Sequence, residues 1–164
     1  MSSDVTRLRG NPSTSQGWIS PPSASTVRWV ITVTILVTLF HFTDNAINVD
    51  TYPKAGWQPD WFALVVVAGW VLYTAVGVAG VVLYRQGRFR AAHTCLLVYG
   101  YLVLSSLGHF LYGSPSELTT RGLISVFVDA AGGSIVIAVA LWSLLARRSR
   151  PAPASAPPGA ELGR

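Results

Sequence analysis

The sequence predicts an all-α integral membrane protein, a transmembrane four-helix bundle, on three observations. Hydrophobic residues make up 51% of the 164-residue chain and charged ones only 12%, and the mean hydropathy is +0.44, far from the balance of a soluble domain. Four apolar segments reach, or nearly reach, the roughly 20 residues that cross a hydrocarbon core. Most of the basic residues gather between and beyond these segments. Helices satisfy their own backbone hydrogen bonds in lipid, so four of them in one bundle is the natural architecture.

The net charge of +5 and the pI near 9.9 do not point to nucleic acid, because the basic residues flank apolar segments instead of interleaving with soluble aromatics. They read as topology signals. Ten of them, Arg7, Arg9, Arg28, Arg85, Arg88, Arg90, Arg147, Arg148, Arg150 and Arg164, fall on one side of the predicted bundle, and Lys54 and Arg121 on the other. By the positive-inside rule both termini are cytoplasmic and the protein is a multi-pass protein of the plasma membrane. The single Cys95 excludes an intrachain disulfide and a CxxC motif.

Residues 1–26, rich in Ser, Pro, Gly and Thr, read as a disordered cytoplasmic tail. The first apolar run follows them without an A-x-A cleavage site, so no signal peptide is expected. The transmembrane domain spans 27–147, with helices at about 27–47, 61–84, 91–112 and 122–146. In the first, Thr34, Thr38, His41, Asn45 and Asn48 recur at spacings of four, three, four and three, which places them on one stripe facing the bundle. Asp44, three residues after His41, shares that face. The loop from Val49 to Asp60 contains Pro53, Gly56 and Pro59 with Tyr52 and Trp57, a helix-breaking composition with interfacial aromatics.

The second helix is apolar on all sides, and Gly69, Ala75, Gly77, Ala79 and Gly80 permit close approach of a neighbour. After the basic turn Arg85–Arg90, the third carries Tyr101, Ser105 and His109 every four residues, so the three line one surface of that helix; His93 lies at its basic end and reads as interfacial. On the fourth, Gly122, Ser125, Asp129, Gly132 and Gly133 share one side, so Asp129 faces the bundle. The inner halves of helices 2 and 4 carry no comparable polar group. Residues 148–164 read as a disordered Pro/Ala-rich cytoplasmic tail.

At 1.5 Å per residue, His41 and His109 lie roughly 5 to 8 Å below the outer ends of their helices and Asp129 roughly 10 to 13 Å below the start of its own. Three helices thus bring polar groups to one depth in the outer half of the bilayer. An unpartnered ionisable group there costs about 2.5 to 3.5 kcal/mol on insertion scales, so such a cluster points to a site. One chemistry is a metal centre, with His41 and His109 as imidazole ligands, Asp44 and Asp129 as carboxylate ligands or outer acceptors, and zinc or iron as the metal.

Ser105-x3-His109 followed by Asp129 on the next helix resembles part of the Ser-x3-His and Asp pattern of the alkaline ceramidase and adiponectin-receptor superfamily of membrane hydrolases. The resemblance covers about 25 residues and implies Ser105 and Asp129 in a catalytic site, where a zinc-activated water attacks an amide in a lipid. This chain has four predicted helices where that superfamily has seven, and lacks its later His-x3-His pair. The other reading is non-enzymatic: transport, a proton relay through His41, Asp44, His109 and Asp129, a haem held by the two histidines, or a lipid or small polar ligand entering from outside. The bilayer is the expected partner, and a homo-oligomer is compatible with the sequence.

Overall fold

A computed structural model describes residues 20–53, 56, 59 and 61–149, and among them the chain is all helical. It is an integral membrane four-helix bundle: α1 Ala24–Ile47, α2 Phe62–Arg85, α3 Phe89–Leu104 and α4 Thr120–Arg148. A 3-10 segment, Ser105–Leu111, continues α3, and with it each of the four is long and apolar enough to cross a membrane. The main packing runs in a ring, α1 on α2, α2 on α3, α3 on α4 and α4 on α1.

Local chemistry sets the ends. Ser23, following Pro21 and Pro22, caps α1 by accepting from the Thr26 N–H at 3.0 Å, so this helix begins three residues before the expected Val27 and the predicted tail ends sooner. Thr119 caps α4 in the same way, through the Gly122 N–H at 3.1 Å. Between α2 and α3 the chain turns at Gly87, φ +74°, with Arg88 N–H bonding to Leu83 O and Gly87 N–H to Tyr84 O. These two bonds are a Schellman closure, which asks for a left-handed residue and is met here by glycine. The tail readings for residues 1–19 and 150–164, together with Lys54 and Trp57, lie outside the described residues.

The interior changes character along the bundle. Toward the arginine-bearing end it is mostly apolar, built from Val27, Ile31, Leu96, Tyr99, Val103, Val136 and Ala140, with His93 and Ser143 as the buried polar residues there. Here α3 and α4 nearly touch by backbone: a Cβ on Gly133 would lie 2.8 Å from the Gly100 carbonyl oxygen. Toward the other end only Tyr52, Leu118 and Val126 form a small apolar cluster. Beside it Thr34, Thr38, His41, Asp44 and Asn45 are all buried on the inward stripe of α1. Large apolar side chains such as Leu36, Leu64, Leu72 and Leu145 face outward on all sides, as lipid contact requires.

Candidate functional site

The stripe on α1 delivers His41 into the bundle, where it is 2% exposed. Its Nδ1 lies 3.1 Å from the Ser125 hydroxyl of α4, 84 positions away. The Ser125 proton is committed to the Gly122 carbonyl at 2.8 Å, so Ser125 accepts and Nδ1 of His41 carries the hydrogen. That leaves Nε2 with its lone pair and no hydrogen-bond partner among the described residues.

Tyr52 folds back from the loop over this pair. Its hydroxyl donates to Asp44 Oδ2 at 2.6 Å and lies 3.2 Å from Ser125 Oγ. Burial, with the Asp44 carboxylate beside it, pushes the phenol up to about 12. The other oxygen of Asp44 accepts from Asn48 Nδ2 at 2.9 Å and pairs with the Arg121 guanidinium. Asp44 is therefore saturated by a phenol, an amide and a cation drawn from α1, the loop and α4. A side chain in that state anchors a rim and has little lone-pair capacity left for a metal.

His109 enters from the 3-10 segment. Its ring stands edge-on to His41, centroids 5.7 Å apart, and its Nε2 meets the Asn45 amide at 3.1 Å. Both histidines line a cavity of about 200 Å³ whose wall includes Asn45, Ser105 and Ser106 with Phe42, Phe62 and Tyr73. Of the expected residues, His41, Asn45 and His109 do share one space.

Others are placed differently. The stripe Tyr101–Ser105–His109 forms only in part: winding tightens to 3-10 from Ser105, and of the three only Ser105 and His109 line the cavity. Tyr101 is 72% exposed. The Ser105 hydroxyl lines the cavity but donates to Leu102 O at 2.6 Å. Ser106 instead turns inward and faces Asp129, one turn deeper than Ser125 on α4. Asp129 is fully buried beside Ser106 and Tyr99, and among the described residues neither its oxygens nor those two hydroxyls make a well-formed hydrogen bond. Among the described residues, no three His, Cys, Asp or Glu side chains converge as a metal-ligand set.

Sequence reasoning missed Tyr52, Ser106 and Arg121 as parts of this region. Tyr52 was expected to sit in the interface as an aromatic belt residue, and Arg121 to serve only as a topology charge. One signal was available: Asp44 and Arg121 are opposite charges expected at the same rim. The expectation of no comparable polar group in the inner halves of helices 2 and 4 is also corrected. There Tyr84 and Ser143 bond at 3.0 Å, and His93, buried instead of interfacial, meets Ser143 at 2.9 Å. Comparison with family models, curated proteins and solved structures finds no match.

Proposed function

We propose that this is a multi-pass plasma-membrane protein whose outer-half cavity binds a small polar molecule carrying hydrogen-bond donors, without catalysing its conversion. The observation that carries this reading is the state of His41. Ser125 holds Nδ1, the free lone pair on Nε2 is left for a donor, and His41 walls a cavity of about 200 Å³. That volume equals about six waters, so the occupant is smaller than a drug-sized ligand. Ser106 lies on the cavity wall and adjoins Asp129 behind it, so the carboxylate would act on the occupant through the Ser106 hydroxyl. An imidazole lone pair on the wall and a carboxylate just behind it favour an amine or amino alcohol over an anion.

A proton relay is the second reading, favoured by the continuous chain His41–Ser125–Tyr52–Asp44 that ends at the exposed Arg121. Metal binding by His41 and His109 competes with both. It has less support, since Asp44 is saturated and the Asn45 amide occupies Nε2 of His109.

The test is histidine-selective nitrogen NMR on the full chain in detergent, titrated with methylamine, with ethanolamine and, separately, with zinc. Saturable movement of the His41 Nε2 resonance with either amine, lost in Asp129→Asn, is the expected result. Movement with zinc alone, together with metal that is lost from His109→Ala but kept in His93→Ala, would replace this reading by the metal one. No response to amines or zinc, combined with proton uptake by vesicles that depends on Tyr52, would favour the relay.

A further inference from the structure

At the arginine end of the bundle a second polar network closes the gap between the α2–α3 turn and the end of α4. Tyr84 donates to Pro22 O at 2.8 Å and meets Ser143 at 3.0 Å, and Ser143 meets His93 at 2.9 Å. Arg147 donates to the Tyr84 hydroxyl at 3.2 Å, and its guanidinium carbon stands 3.2 Å above the centre of the Phe89 ring. The guanidinium is thus held in one place, while its Nε is buried with no hydrogen-bond partner among the described residues.

Beside this network lies a groove of about 720 Å³ between α3 and α4. Arg90, Arg147 and Arg148 stand at its mouth, and Thr94, Leu97 and Leu144 carry it along the two helices. No described carboxylate reaches it. Asp44, Asp50 and Glu117 belong to the opposite end, and Asp129 is 18 residues from Arg147 on α4, roughly 27 Å along the axis.

We propose that this groove binds an anionic phospholipid of the inner leaflet, with the phosphate between Arg90, Arg147 and Arg148 and one acyl chain along Leu97 and Leu144. Three cations without a described counter-ion, one of them fixed by stacking, match a phosphodiester. The apolar continuation of the groove favours a lipid over a free anion. The arginine-rich end is the cytoplasmic one by the positive-inside rule, where anionic headgroups attract basic segments.

Native mass spectrometry of the full chain in mild detergent tests this with phosphatidylglycerol, with phosphatidylcholine of the same chains, and with inorganic phosphate. Phosphatidylglycerol should form a discrete adduct, about tenfold more populated than that of phosphatidylcholine. Arg90→Gln/Arg148→Gln should reduce it about tenfold. Both side chains are exposed and outside the Tyr84 network, so the fold is expected to persist. Arg85→Gln/Arg88→Gln, with the same loss of charge at the same end, should keep the adduct. Equal binding of the two lipids, equal loss in both double variants, or phosphate binding as strongly as the lipid would each overturn the proposal. Should Arg90→Gln/Arg148→Gln unfold, Arg148→Glu alone gives the same reading by charge reversal.

Discussion

The Tyr52 hydroxyl and the Asp44 carboxylate, eight positions apart, meet at 2.6 Å and fasten the loop after α1 over the mouth of the bundle. Asp44 ends the polar stripe of α1, and Tyr52 is the first large residue after the 3-10 turn Val49–Thr51. The loop's position is thus tied to a charge that could not remain at this depth without donors. Arg121 reaches the same carboxylate from α4 but keeps a side chain that is 60% exposed.

Tyr52→Phe and Arg121→Gln should therefore differ. Removing the phenol takes a buried, charge-assisted hydrogen bond from Asp44 and is expected to cost about 1.5 to 3 kcal/mol. Removing the exposed guanidinium should cost under about 1 kcal/mol. Denaturant unfolding in matched detergent measures both. A larger loss for Arg121→Gln would mean that the ion pair, and not the phenol, holds the loop.

The phenol should hold its proton well above the ordinary tyrosine value of 10. With a pKa of about 12 in the folded protein, the folded state binds more protons than the unfolded one between pH 10 and 12. Stability therefore falls as pH rises through that window. Tyrosinate absorbance, taken as wild type minus Tyr52→Phe, should show a midpoint near 12. A midpoint near 10 would contradict the burial and pairing described for Tyr52.

Close approach of α3 and α4 predicts asymmetric tolerance among glycines. Gly133→Leu drives side-chain atoms into the Gly100 carbonyl and Val103, and should cost about 1 to 3 kcal/mol or more. Gly108→Ala, with nothing within 4 Å of the added carbon, should stay within about 0.5 kcal/mol of wild type. Thermal unfolding of the two variants decides it, and equal tolerance would argue against backbone contact at Gly133.

Asp129→Asn should leave the bundle folded and raise its melting temperature. Among the described residues the buried carboxylate makes no well-formed hydrogen bond, and its replacement by a neutral amide of the same shape relieves desolvation. Stability gained with amine binding lost is the pattern of a site maintained at the expense of stability. A sharply destabilised Asp129→Asn would instead assign the carboxylate to helix–helix packing.

The amino-acid order by itself determined that four helices span a membrane, and which face of α1 turns inward. Hydropathy over 20 residues and a repeat of three and four positions are local properties, readable wherever the helix is regular. Thr34, Thr38, His41 and Asn45 are all buried as that repeat requires. Tertiary structure decided the partners. That His41 meets Ser125, that Ser106 and not Ser105 faces Asp129, and that Tyr52 crosses to Asp44 depend on helix rotation, on the switch to 3-10 winding at Ser105 and on a loop's return path. The network of Tyr84, His93, Ser143 and Arg147 was hidden for the same reason: its members lie singly on apolar or basic stretches and become a cluster only when helices 2, 3 and 4 close. Pairings across 50 to 84 positions are set by the packing of whole helix faces, a sum over many side chains that no short stretch of sequence contains.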